Sequence, residues 1–267
     1  MSEEKSVNKK SNFNDILQGL SELNKQNIVT VYVPSIDEEI NFRPLTVKQQ
    51  KQILSTGIDA ELENLSFSNA MNDIIMENCL SDKQSIKIID KPAILLQLRQ
   101  KAVGDMVNIK AEDTEYKISI TEQIDKVRNM KVKRKSNFTI KSDGIEITGR
   151  TPNLKIDTLY NKQFTKKIKK ENKGSQLTLS DVVGDIFVHE MVKYIDTITL
   201  GDNVVRMDGS LSVDQSIKLF ESLPMSLSLA VAEEIKTTRE LEVATISSDL
   251  LPEDTQITID ASLFTTE

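Results

Sequence analysis

Between Ile28 and Leu54 the sequence changes its hydrophobic period, and this stretch constrains the fold more than any other. Ile28-Val-Thr-Val-Tyr-Val33 is dense in β-branched and aromatic residues, and Pro34-Ser-Ile-Asp-Glu38 is turn chemistry. Glu39-Ile-Asn-Phe-Arg43 then sets Ile40 and Phe42 against polar neighbours. Together these spell a β-hairpin over about Ile28 to Phe42. Pro44 ends it. Thr46, followed three residues later by Gln49, has the spacing of a capping box: the hydroxyl accepts an amide of the first helical turn while the Gln side chain reaches back. A helix is therefore predicted from about Thr46 to Leu54. Arg43 stands where hairpin meets helix and is read as structural, because one guanidinium can brace several carbonyls, or a carboxylate, at once.

Ahead of the hairpin, Met1 to Ser11 is polar and is expected to be disordered. Asn12 can cap a helix in which Phe13, Ile16, Leu17, Leu20 and Leu23 recur at 3.6-residue spacing. These five residues form the candidate partner-binding face, which either packs on its own domain or reaches into a neighbour. After the Thr46 helix, Gly57 offers a left-handed C-cap. Ser66 is a candidate cap for a helix with Phe67, Ala70, Met71, Ile74 and Ile75 on one stripe. Asp90-Lys91-Pro92 is an N-terminal signature, and the helix it opens points Ile94, Leu95, Leu98 and Ala102 inward and stops at Gly104. Arg99 in that helix is read as structural.

From Met106 the period changes to two. Val107 to Lys110, Glu115 to Ile120, Asn137 to Lys141 and Ile145 to Thr148 alternate, with Ser142-Asp-Gly144 as a tight turn, and predict a small antiparallel sheet. Asp157 to Lys173 reads as a basic helix with Leu159, Tyr160, Phe164 and Ile168 on its apolar side. Ser180 opens a helix with Val183, Ile186, Phe187, Met191 and Tyr194 as buried candidates. A hairpin follows from Thr197-Ile-Thr-Leu200, the Gly201-Asp-Asn203 turn and Val204 to Met207. Ser212 with Gln215 repeats the capping box, Pro224 breaks that helix, and a last helix runs from about Ser226 to Leu241. Gln256 to Ile259 and Leu263-Phe264 read as a strand or clasp returning to the core. The fold class is α+β, helix-rich, with an N-terminal β-hairpin and a small antiparallel sheet in the middle. Its expected units are 1–27, a tail and amphipathic arm; 28–104, hairpin plus helices; 105–173, a basic β region with a linker helix; and 174–267, an acidic helical unit.

With 267 residues, no Trp and 4% aromatics, the core must be built from Ile, Leu, Val and Met. No apolar run is long enough for a membrane helix and there is no signal-type core at Met1, so synthesis in the cytoplasm is expected. The formal charge of −7 hides an asymmetry. Lys126 to Lys173 holds 15 basic and 4 acidic residues, a net of +11, whereas Ser175 to Glu267 holds 5 and 17, a net of −12. Such segments can dock within one chain, meet head to tail between copies, steer a partner, or stand as solvated faces. The basic run Met130 to Lys135 lacks aromatic stacking partners and is read as a charged edge or linker, and with the overall acidic charge nucleic-acid binding through Lys126 to Lys173 ranks behind the association roles.

Catalytic chemistry finds little footing. His189 is the only histidine and Cys79 the only cysteine, on separate predicted helices, and both are read as structural. The sequence has no Gly-rich phosphate loop, Ser elbow or calcium loop, and Glu233-Glu234 reads as a solvated face. The chain is expected to be no enzyme and to need no cofactor or metal.

Val31-Tyr-Val-Pro-Ser35, then Ile40-Asn-Phe-Arg-Pro-Leu-Thr-Val-Lys48 leading into a helix, resembles the opening of the baseplate hub proteins of T-even-type contractile-tailed phages. Asn78-Cys79 at a helix end, Leu95-Leu-Gln-Leu-Arg-Gln-Lys-Ala-Val-Gly104 and Leu219-Phe-Glu-Ser-Leu-Pro224 resemble further segments of that family in order. The similarity thins between about Ile109 and Gly174. Cysteine pairs that some members carry after Gly104 and near the C-terminus have no counterpart here. The resemblance implies a structural or assembly protein at the baseplate hub, with other hub or tail proteins as partners and self-association as a further option. The alternative is a soluble tail assembly chaperone that binds a hub or tape-measure protein and is absent from the finished virion.

Overall fold

A computed structural model describes residues 12–56, 63–83, 85–111, 114–130, 137–171, 179–207, 209–252, 255, 257, 259 and 261–264. Met1 to Ser11, Gly57, Lys131 to Lys135, Lys173, Gln256 and Thr258 lie outside the described residues, as do the side chains of Ile168, Ser180 and Val183. The tail, the Gly57 cap and most of the basic run therefore fall there.

The predicted hairpin is present as β1 (Val29–Val33) and β2 (Glu38–Phe42), paired antiparallel from Val29 opposite Phe42 to Val33 opposite Glu38. Asp37 in its turn takes a positive φ of 58°. α1 (Asn12–Gln26) precedes it and α2 (Val47–Ser55) follows. Both halves of the Thr46 capping box form: Thr46 Oγ1 accepts from Gln49 N at 3.3 Å, and Gln49 Oε1 accepts from Thr46 N at 3.0 Å. α3 (Glu63–Asn78) buries Ala70, Met71, Ile74 and Ile75 as its stripe requires. It already runs by Glu63, so Ser66 lies inside it and is not its cap.

α4 (Lys91–Val103) is the central helix, buried without a break from Pro92 to Arg99. A helix covered on all sides belongs to the middle of a core, and α4 packs on β1 and α3 and on two helices that come later in the chain. Only its final turn, including Ala102, is exposed, contrary to the inward expectation there. Gln97 completes the edge of β1: Tyr32 N donates to its Oε1 and its Nε2 donates to Tyr32 O, both at 2.9 Å.

The strands expected between Val107 and Thr148 all form but sort into two sheets. β3 (Met106–Ala111) and β4 (Thr114–Ser119) are a hairpin of their own. β5 (Asn137–Ser142) and β6 (Ile145–Arg150) join β7 (Ile195–Leu200) and β8 (Asn203–Arg206) in an antiparallel sheet of order β5-β6-β7-β8. Asp143 and Gly144 supply the two positive φ angles of the β5–β6 turn, 52° and 77°, as a two-residue hairpin turn requires. Between the sheets the alternating pattern gives way to α5 (Ile120–Asn129), capped by Ser119. Ile120, Ile124 and Val127 are its buried face, a helical spacing that sequence reading passed over.

α6 (Leu154–Glu171) buries Tyr160 and Phe164 but leaves Leu159 on the surface. α7 (Leu179–Val192) is rotated relative to expectation: Ile186 and Phe187 are exposed, while His189 and Val192 are buried. Its segment is apolar around most of its circumference, so periodicity alone could not orient it. α8 (Val213–Glu221) starts on the Ser212–Gln215 capping box, and the expected final helix is divided into α9 (Met225–Thr238) and α10 (Glu240–Ile246). One continuous core runs from Val31 to Phe264, with a satellite of Ile118, Leu251 and Ile257 beneath β3 and β4. The clasp closes it: Leu263 and Phe264 are buried, and Phe264 O accepts from Gln50 Nε2 at 2.8 Å.

Candidate association surface

α1 stands outside this core. Phe13 is 72% exposed, and Ile16, Leu17, Leu20 and Leu23 are each about half exposed. The amphipathic stripe read from the sequence is therefore brought onto one helix, and that helix leaves its apolar face to solvent. Only Asn27 and Ile28 separate it from β1. A helix of this length is marginal in water without tertiary packing, so its face is a contact surface in search of cover.

The other residues singled out in the sequence sit at two joints of the body. At the first, Arg43 N donates to Asn78 O at 2.8 Å and Leu80 N to Asn41 O at 2.9 Å, which docks the end of α3 on β2. Gln49 adds a side-chain pair with Asn78, at 3.0 and 3.2 Å. At Arg43 the main chain does the joining, and its buried Nε has no hydrogen-bond partner among the described residues. Pro44 leads from β2 toward the Thr46 cap. Burial raises the Cys79 thiol above its ordinary pKa at this joint.

The second joint carries the brace that a guanidinium can provide. Arg99 Nε donates to Leu263 O at 3.1 Å, and its Nη1 donates to Met106 O at 2.8 Å and to Gly104 O. One planar fork thus ties α4, β3 and the clasp. Gly104 turns the chain there with φ 129°, a backbone that other residues rarely adopt. Asp105, next along, accepts from Gln100 Nε2, Ser119 Oγ, Thr121 N and Thr121 Oγ1. Burial alone would raise its pKa, but these donors outweigh it and hold the carboxyl at about 2.

A third cluster was not foreseen from the sequence. Asp157 on α6 accepts from Lys193 Nζ at 2.8 Å, Asn72 Nδ2 at 2.7 Å and Lys91 Nζ at 3.2 Å. Lys193 is only 4% exposed, and its ammonium also donates to Asn161 Oδ1 and Glu190 Oε1. Burial opposes the charge on Asp157, but Lys91 and Lys193 hold it well below the usual carboxylate range. His189 lies beside the cluster, stacked on Phe164 at 4.5 Å, with neither ring nitrogen hydrogen-bonded among the described residues. Burial first and Lys193 second depress its pKa to about 3, so it is neutral. A cavity of about 390 Å³ opens here, walled in part by Leu65, Phe164, Ile186 and His189. Its charged groups largely neutralise one another, and the cluster pins α3, α4, α6 and the end of α7 together. The sequence held a faint signal: Asp157 and Asn161 lie one turn apart on a face otherwise given to Tyr160 and Phe164, as do Glu190 and Lys193.

The charge asymmetry resolves partly within the molecule. Lys126 pairs with Asp249 at 2.8 Å, Lys167 with Asp185 at 2.8 Å and Arg150 with Asp196 at 3.1 Å, each joining the basic middle to the acidic C-terminal segment. These pairs are exposed or part-exposed and worth about 0–1 kcal/mol each. Among the described residues no cluster of three His, Cys, Asp or Glu side chains is arranged to hold a metal, and no helix is long and apolar enough to cross a membrane.

The molecule is thus an α+β body locked by internal polar joints, with one amphipathic helix outside its core. Residues 25–247 match the family model described as T4 bacteriophage base plate protein, and the chain belongs to that family. Membership makes it a phage tail baseplate protein, associated with other baseplate proteins. No curated protein and no solved structure matches it. The apolar positions of α1 precede the matched stretch, and the clasp follows it.

Proposed function

We propose that this chain is a structural or assembly component at the hub of a contractile tail's baseplate, working by protein–protein association and without catalysis or a cofactor. The observation that carries this reading is the apolar face of α1, which the body leaves uncovered along the whole helix. The resemblance of Val31 to Lys48, Leu95 to Gly104 and Leu219 to Pro224 to hub proteins supports the placement. Support for a non-catalytic role comes from the sole cysteine and the sole histidine. Cys79 is buried with its thiol pKa raised, and His189 is packed among aromatic rings and neutral. Neither is poised to react. Mass spectrometry of purified particles tests the reading. Stoichiometric presence is expected, and absence from finished virions would instead make the chain a tail assembly chaperone.

A further inference from the structure

Within α1 the apolar residues follow a finer rule than amphipathicity. Phe13, Ile16, Leu20 and Leu23 are separated by three, four and three residues, the a and d positions of two heptads. Leu17 then falls at e. The remaining flanking positions are Gly19, Asn24 and Gln26, all uncharged, while Asp15, Glu22 and Lys25 fall at c and f on the outer side. Partner choice in such helices is set by charges at e and g. An uncharged flank presents nothing that repels an identical helix and nothing that selects a charged one.

We propose that the occupant of this face is the α1 of further copies of the same chain, in a bundle of at least three helices. This deepens the association reading above and rests on it. At the exposures observed, the five side chains offer on the order of 500 Å² of apolar surface per helix. Fully covered, this surface comes to roughly 1,000 Å² in a pair and roughly 1,500 Å² in a three-helix bundle, where it is shared among three contacts. Width sets the number of helices. A two-stranded seam covers a and d only, leaving Leu17 in water, while a third helix closes over position e. The two-residue link to β1 means that such a bundle fixes the bodies close to its end.

Sedimentation equilibrium of the full chain alone, at low and high salt, tests this beside a Leu20→Asp variant and a chain lacking residues 1–25. The full chain is expected to assemble as a trimer or larger, equally at both salt concentrations because the seam carries no charge. Leu20→Asp should raise the half-association concentration about 100-fold or more, with the thermal melt of the body unchanged. A full chain that stays monomeric overturns the proposal, as does undiminished assembly of Leu20→Asp. A lowered melt of the body in that variant would show that the face packs on its own body, and also overturns it. If the full chain is monomeric while loss of residues 1–25 abolishes capture of other baseplate proteins, self-pairing fails and the association reading stands.

Discussion

Replacing His189 with Leu should remove much of the protein's sensitivity to mild acid. The ring is 1% exposed, stacked on Phe164 and tilted against Tyr160, with Lys193 close by. Folded, it takes a proton only near pH 3; unfolded, it does so near the ordinary histidine value of about 6.5. Between those values the unfolded state binds more protons, so the stability contributed by neutral His189 is complete above about pH 6.5 and is lost as pH falls toward 3. Each pH unit in that window is worth about 1.4 kcal/mol, which gives about 2 kcal/mol by pH 5. That figure depends only on the folded pKa lying well below 5. Urea unfolding at pH 7.5 and pH 5 measures it directly, since carboxylates titrating in both proteins cancel in the comparison. The wild-type chain should lose about 2 kcal/mol more than His189→Leu over that range. At pH 7.5 the variant should be close to wild type, because it removes two polar atoms that have no partners. Equal losses in the two proteins would mean that His189 titrates normally and that its burial has been misjudged.

Thr46→Ala removes one half of a formed capping box and should cost about 1 kcal/mol in denaturant unfolding. Lys193→Met leaves Glu190 without its ammonium and Asp157 with Lys91 alone, and should cost about 3 kcal/mol, read as a large drop in Tm; a loss below 1 kcal/mol would refute the locking role of the cluster. Arg99→Lys keeps the charge but not the fork, and should speed hydrogen exchange at the Leu263–Phe264 clasp before it affects β5 to β8. At Gly149 a Cβ would come within 2.0 Å of the Phe138 ring on the paired strand, so Gly149→Ala should cost about 1–3 kcal/mol, with the near-ultraviolet circular dichroism altered as the ring moves.

What could be read from the sequence was what local chemistry decides. The hairpin, the Thr46 and Ser212 caps, the Asp143-Gly144 turn and the stripe of α1 each depend on residues within a few positions of one another. The side chains of α7 could not be oriented, because apolar residues nearly encircle it and only distant packing selects the buried side. α5 was hidden behind the alternation of β4, which runs directly into it. The Asp157–Lys193 pair joins α6 to the turn after α7, an approach that no local spacing encodes, and Asp157 on a Lys-rich helix reads as surface. For the arm, sequence supplied the residues and structure supplied their exposure. Of the two arginines read as structural, Arg99 makes the three-carbonyl brace, whereas the side chain of Arg43 makes no comparable one.

The clasp also orders events during synthesis. Arg99 reaches across 164 residues to Leu263, and Gln50 across 214 to Phe264. The central helix is made early, but the carbonyls that cover its arginine emerge from the ribosome much later. Until then a buried guanidinium lacks one acceptor and the apolar ground beneath Phe264 stays open. Because contacts so distant in sequence form late and slowly, a nascent chain displays the apolar residues of its α1 segment well before its body is sealed.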